Sequence, residues 1–196
     1  MREDAEGDDA DLTHTTESGD VQMVDVGAKP DTARRAVARG EIRVQDSTIA
    51  AIRDDEIGKG DVLATARVGA VQAVKHTWET IPMCHQIPIT NVETTFDVEG
   101  GTERGEGSRA SGEDRSAGRV VLEVAVETTG KTGCEMEALQ GVTTGLNVVW
   151  DMVKAAEKRE APGATGRNDD AVAASQYPDT AIKGVEVVAK EKRELD

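Results

Sequence analysis

The sequence predicts an α+β fold, a mostly antiparallel sheet with helices packed on one of its faces. Residues 91–98 and 119–127 alternate apolar with polar side chains and flank a Gly- and Ser-rich run, which is the pattern of an antiparallel pair with an elongated connection. Residues 60–81 and 135–159 instead repeat apolar side chains at three- and four-residue steps, which supplies the helical layer.

The elements follow in chain order. A short helix fits residues 47–54. Over residues 60–81, Leu63, Ala66, Ala70, Ala73, Val74 and Trp78 fall near one helical face, and Pro82 ends the run because proline cannot continue it. In the strand 91–98, Val92, Thr94, Phe96 and Val98 share one side. In the strand 119–127, Val120, Leu122, Val124 and Val126 oppose Val121, Glu123, Ala125 and Glu127. Met136, Leu139, Val142, Leu146, Val149 and Val153 form the apolar stripe of the helix 135–159. Gly141 and Gly145 cost that helix roughly 1 kcal/mol each in propensity, so their shared face implies close packing against a sheet or helix. A last strand runs near residues 182–188.

Composition bounds the rest. The chain has 196 residues, enough for one domain with tails, and aromatics are only 2%, so its core must be built from Val, Ala, Leu and Ile. Lys and Arg number 23 against 38 Asp and Glu, a net charge of −15, which argues against nucleic acid and anionic membranes as partners. No apolar run reaches the roughly 18–20 residues of a membrane helix. Met1-Arg2-Glu3-Asp4 does not read as a signal peptide. Two cysteines, Cys84 and Cys134, cannot staple a small secreted fold, so both are expected as free thiols in a cytoplasmic protein. Residues 1–20 hold eight acids and one base and are expected as a disordered acidic tail before a single catalytic domain, 21–196. Flexible surface loops are expected at 100–118 and about 162–178. The excess of acid and the scarcity of lysine fit a protein adapted to salt-rich cytoplasm.

Three segments carry polar residues that packing does not require. In Ile81-Pro82-Met83-Cys84-His85, His85 is placed on a loop as an acid/base or phosphate-binding group, or as an ordinary loop histidine. No metal site is read there, because Cys84 and His85 are adjacent and no second cluster has ligand spacing. Thr129-Gly130-Lys131-Thr132-Gly133 leads into Cys134-Glu135-Met136-Glu137, a Gly-rich turn opening a helix, where backbone N–H groups and Lys131 suit an anion. A nucleotide-binding P-loop would require glycine where Ala125 stands. Glu135 and Glu137 are equally compatible with plain charges at a helix N-terminus. In Trp150-Asp151-Met152-Val153-Lys154, Asp151 and Lys154 share a helix face, as a surface ion pair or as an acid and base that tune one another. Lys59, between Gly58 and Gly60, and Arg34, Arg35, Lys75 and Lys190 complete the set of candidate cations.

Taken in order, Met23-Val24-Asp25-Val26, Lys59-Gly60-Asp61-Val62-Leu63-Ala64-Thr65-Ala66-Arg67, the segments containing His85 and Lys131, and Asp151-Met152-Val153-Lys154 closely resemble the cyclic pyranopterin monophosphate synthase family of molybdenum cofactor biosynthesis. The resemblance runs from about residue 21 to 190 and is interrupted at the two loops. It implies a ferredoxin-like fold and a homo-oligomer, a hexamer built as a trimer of dimers with active sites at dimer interfaces. It implies a lyase that converts 3′,8-cyclo-7,8-dihydroguanosine 5′-triphosphate, a GTP-derived cyclic nucleotide triphosphate, into cyclic pyranopterin monophosphate with release of pyrophosphate. No redox cofactor is implied; the radical step belongs to an upstream enzyme. By motif, Asp151, Lys154 and Lys59 are carried over as catalytic residues. Met83, Cys84, His85, Lys131, Glu135, Met136 and Glu137 are carried over as substrate-binding, with Arg34 and Lys190 as weaker matches. Cys134 stands where bacterial relatives usually have an apolar residue, which suits packing rather than chemistry. A Gly- and Ser-rich lysine motif after the last strand is replaced here by Ala189-Lys190-Glu191-Lys192-Arg193.

Two other classes compete. A non-catalytic nucleotide-binding module would keep the fold and anion site and bind nucleotide without releasing pyrophosphate. A purely structural oligomer would scatter its cations over the surface.

Overall fold

The computed structural model describes residues 22–101, 118–159 and 176–195. The acidic tail expected at 1–20 lies outside the described residues, as does nearly all of the 100–118 and 162–178 loops. The described elements run β1 (Thr32–Val44), α1 (Asp46–Arg53), α2 (Val62–Lys75), α3 (Thr77–Thr80), β2 (Ile89–Glu99), β3 (Gly118–Gly130), α4 (Glu135–Glu157) and β4 (Ala181–Glu194). All strand pairs are antiparallel, in the order β2-β3-β1-β4. With α2 and α4 as the crossover helices, this is the βαββαβ ferredoxin-like topology.

The expected hairpin is present: Asn91 pairs with Glu127 and Val98 with Val120 across β2 and β3. The inward side chains of β3, Val120, Leu122, Val124 and Val126, are fully buried. They meet Ala36, Ala38, Ile42 and Val44 of β1 and Val142, Leu146, Val149 and Val153 of α4 in one core.

Four sequence expectations are corrected. The central strand β1 is absent from the periodicity reading. Its inward positions are mainly Ala36, Ala38, Gly40 and Ile42, alternating with outward Val37, Arg39, Glu41 and Arg43, and Ala, Gly and Arg lack the strand preference of β-branched residues. The last strand spans 14 residues, beyond 182–188, because it pairs with β1 to its end at Thr32↔Glu194. The helix expected over 60–81 breaks at His76 into α2 and α3. Its buried face is Val62, Ala66, Ala70, Val74 and Thr77, whereas Leu63 and Ala73 are half-buried and Trp78 is exposed. Met136, expected on the stripe of α4, is also exposed, since the first turn points Glu137 and Ala138 inward instead.

The glycine pair on α4 acts as expected. A Cβ on Gly145 would run into Leu122 Cδ2 of β3, and one on Gly141 would lie 2.9 Å from Val74 Cγ2 of α2. α4 is therefore packed closely against both the sheet and α2. The facing pairs Gly141–Val74, Gly145–Ala70 and Val148–Gly69 run α2 antiparallel to α4. That arrangement sets the start of α2 beside the end of α4.

Candidate functional site

Asp151, Lys154 and Lys59 meet at the C-terminal end of α4. Gly60 takes a φ of +99°, open to glycine, and Asp61 caps α2 by accepting from Ala64 N–H at 2.9 Å. This turn delivers Lys59 Nζ to within 2.6 Å of both the Asp151 carbonyl and Asp151 Oδ2. Lys154 Nζ donates to Asp151 Oδ1 at 2.7 Å. The hydrogen bonds from Lys154 and Lys59, with their charges, hold the Asp151 carboxyl down at about 2, and Asp151 raises the Lys154 ammonium in return. All three side chains are exposed in the single chain, at 58%, 51% and 42%. The expected i,i+3 pair is thus a surface pair with a third member, Lys59, that its spacing did not reveal.

A second group gathers around the N-terminal end of α4. Arg34 Nη2 donates to the Lys131 carbonyl at 3.4 Å and Arg34 Nε to Thr32 Oγ1 at 2.9 Å. Lys131 Nζ donates to the Lys29 carbonyl at 2.6 Å and lies 3.7 Å from Asp31 Oδ1. Lys190 of β4 forms an ion pair with Glu135. Partial burial pushes the Glu135 carboxyl up, but Lys190, its own backbone N–H and Arg34 together outweigh this and hold it below its ordinary range. Glu137 is only 4% exposed, and burial, partly offset by its own N–H and reinforced by Glu135, pushes it up to about 7.

The loop after α3 joins this second group. The Pro88 carbonyl accepts from Thr128 Oγ1 at 2.6 Å, which ties the loop to the end of β3. Met83, Cys84 and His85 are half-buried along it. Burial and then the Glu137 charge push the Cys84 thiol up. Cys134 is buried and donates from Sγ to the Val126 carbonyl at 3.3 Å; desolvation, then Glu135 and Glu137, push it up to about 11. It packs, as expected, and is a poor nucleophile. Met136 is exposed on the first turn.

Within one chain the expected site residues therefore form two groups. Asp151 follows Glu135 by 16 residues on one continuous helix, a rise of roughly 24 Å at about 1.5 Å per residue. Asp31 and Lys29, the partners of Lys131, were not foreseen. Neither was Glu157, whose signal was an acid four residues after Val153 on the apolar stripe. Among the described residues, no cluster of three His, Cys, Asp or Glu could hold a metal. Nor is any described helix long and apolar enough to cross a membrane.

Fold and site together define a ferredoxin-like domain that presents lysines and carboxylates at both ends of one helix. Residues 23–192 match the model of the MoaC family, and the chain belongs to that family. It is 67% identical, over 95% of this chain and 96% of the relative, to the "probable cyclic pyranopterin monophosphate synthase" of Halobacterium salinarum. It is 64% identical to the protein of the same name from Natronomonas pharaonis, over 96% and 99% of the two chains. A Methanothermobacter thermautotrophicus relative, 45% identical over 94% and 97%, is named a "probable cyclic pyranopterin monophosphate synthase accessory protein". The first two organisms are halophilic archaea, in line with the acidic composition. These similarities identify an enzyme of molybdenum cofactor biosynthesis.

Proposed function

We propose that the chain is the lyase that converts 3′,8-cyclo-7,8-dihydroguanosine 5′-triphosphate into cyclic pyranopterin monophosphate and pyrophosphate. Family membership and the names of its relatives support this reading. The observation that carries it is the exposed Asp151 carboxylate held between two ammonium groups from different elements. A helix surface needs no such triad for stability.

The chemistry sets the demands. A triphosphate that ends as a cyclic monophosphate loses pyrophosphate when an internal hydroxyl oxygen attacks the α-phosphorus. The new P–O bond replaces the one to pyrophosphate, the hydroxyl gives up its proton, and charge builds on the departing group. Lys59 and Lys154 stabilise that charge. Asp151 orients both ammoniums and becomes a better proton acceptor as the substrate's phosphates draw them away. Arg34, Lys131, Lys190 and His85 bind the remaining phosphate and base groups, with Met83, Cys84, Glu135, Met136 and Glu137 lining the same surface.

The two groups stand at opposite ends of α4, which supports a complete site built from two chains. In this reading the enzyme is a cytoplasmic homo-oligomer, a trimer of dimers, in which one protomer supplies Asp151 and its partner supplies Lys131. The test is incubation with the cyclic triphosphate and assay for pyrophosphate. Release by the wild type and its loss in both Asp151→Asn and Lys154→Ala is the expected result. Binding of the nucleotide without release would overturn the reading in favour of a binding module.

A further inference from the structure

Glu157 closes α4 and is 1% exposed, yet no lysine or arginine pairs with it among the described residues. A buried carboxylate needs donors in place of its lost water. Three supply them. The Gln45 backbone N–H donates to Oε1 at 3.0 Å, the Thr48 hydroxyl donates to the same oxygen, and the Thr180 hydroxyl donates to Oε2 at 2.6 Å. Gln45 opens α1, and its Nε2 in turn donates to the Ala156 and Glu157 carbonyls at 3.5 and 3.3 Å, two acceptors that end α4 without helical partners. Each helix thus caps the other.

Among the described residues, no other side chain of this last turn of α4 points inward. After Val153, residues 154–156 are exposed, and Glu157 is the next side chain of α4 to point into the protein. The same network ties down residues 176–180, just before β4. Arg159 N–H donates to the Gln176 carbonyl at 2.9 Å, and Thr180 fixes the start of the strand. Between them Tyr177 sets its ring edge-on to Trp150, with centroids 6.4 Å apart, beside Lys154.

We infer that Glu157 is a positioning residue, which holds the last turn of α4, and with it Lys154, in register with Asp151. This rests on the proposal that Asp151 and Lys154 are the reactive pair. Glu157 touches no reacting atom; it acts through Lys154.

The test measures kcat and KM for pyrophosphate release, with melting temperatures, in Glu157→Ala, Glu157→Gln, Thr180→Val and Asp151→Asn. Val92→Ala, a trimming on the far edge strand, serves as a control for general destabilisation. Glu157→Ala and Thr180→Val lower kcat by roughly 10- to 100-fold, as a misplaced group does, while KM stays near wild type. Glutamine keeps a carbonyl acceptor and can donate to the Thr180 oxygen, so Glu157→Gln restores most of kcat. Val92→Ala loses melting temperature but keeps kcat. If Glu157→Ala does not fold, Thr180→Val, which removes one hydroxyl, decides. The inference is overturned if the folded Glu157 and Thr180 variants turn over as wild type while Asp151→Asn is inactive. It is also overturned if Val92→Ala loses kcat equally. An active Asp151→Asn would instead remove the catalytic reading itself, and the positioning role with it.

Discussion

Two carboxylates on one helix answer oppositely to their surroundings. Glu137, in the first turn of α4, is buried among few cations, and its carboxyl is pushed up to about 7. Asp151, near the last turn, stands in solvent between Lys154 and Lys59, and its carboxyl is held at about 2. The difference teaches that environment, not residue type, assigns the roles. Glu137 can hold or yield a proton near neutral pH. Asp151 remains ionised and organises the two ammonium groups beside it.

The largest effect should come from the exposed end. Asp151→Asn keeps the shape but removes the charge that aligns Lys59 and Lys154. Turnover should fall on the order of 10²–10⁴-fold, with only a small loss of melting temperature, because solvent screens this exposed pairing. Steady-state pyrophosphate release and a thermal melt check both halves.

The buried end predicts a pH effect on stability. The folded-state pKa of Glu137 lies above its ordinary value of 4.5, so the folded chain binds the extra proton between about 4.5 and 7. Its contribution to stability is present below that window and is lost as pH rises through it. Glu137→Gln should flatten this slope and stabilise the protein by roughly 2–4 kcal/mol at pH 8, measured by chemical denaturation across pH. Asp151 has the opposite sign. Its folded value lies below 3.8, so its contribution is present above that pH and is lost as pH falls toward 2.

Between the two ends, the helix itself can be disturbed without touching either. Gly145→Ala would press a methyl into Leu122 Cδ2 and within 3.3 Å of Ala70 Cβ. Its overpacking cost of roughly 1–3 kcal/mol is partly offset by about 1 kcal/mol of helix propensity. A Cβ on Gly58 meets nothing within 4 Å, so Gly58→Ala should leave denaturation unchanged. The smallest effect is spread over the whole surface. With a net charge of −15, the melting temperature should rise by a few degrees between low and molar salt as self-repulsion is screened.

Much of the fold was legible, and particular residues show why the rest was not. The β2–β3 hairpin and α4 were readable because Val120, Leu122, Val124 and Val126 alternate and Val142, Leu146, Val149 and Val153 step at helical spacing. β1 escaped because its inward face is largely Ala and Gly, chosen for close approach: a Cβ on Gly40 would sit 2.9 Å from Val142 Cγ1. The site residues were legible as ordered motifs, and the predicted helix 135–159 already set Glu135 apart from Asp151; helix spacing did not reveal that Lys59 joins Asp151 while Arg34, Lys131 and Lys190 gather at the other end. Glu157 was hidden because periodicity scores an acid on an apolar stripe as noise, although three donors account for it.

The two ends of α4 belong to one site only if two chains complete it. Mixing Asp151→Asn with Lys131→Ala protein under conditions of subunit exchange tests this directly, since each variant spoils a different end. Random pairing should restore roughly a quarter of wild-type pyrophosphate release, because heterodimers form one site from two unaltered halves. A mixture no more active than its separate components, with exchange verified, would contradict a site shared between chains.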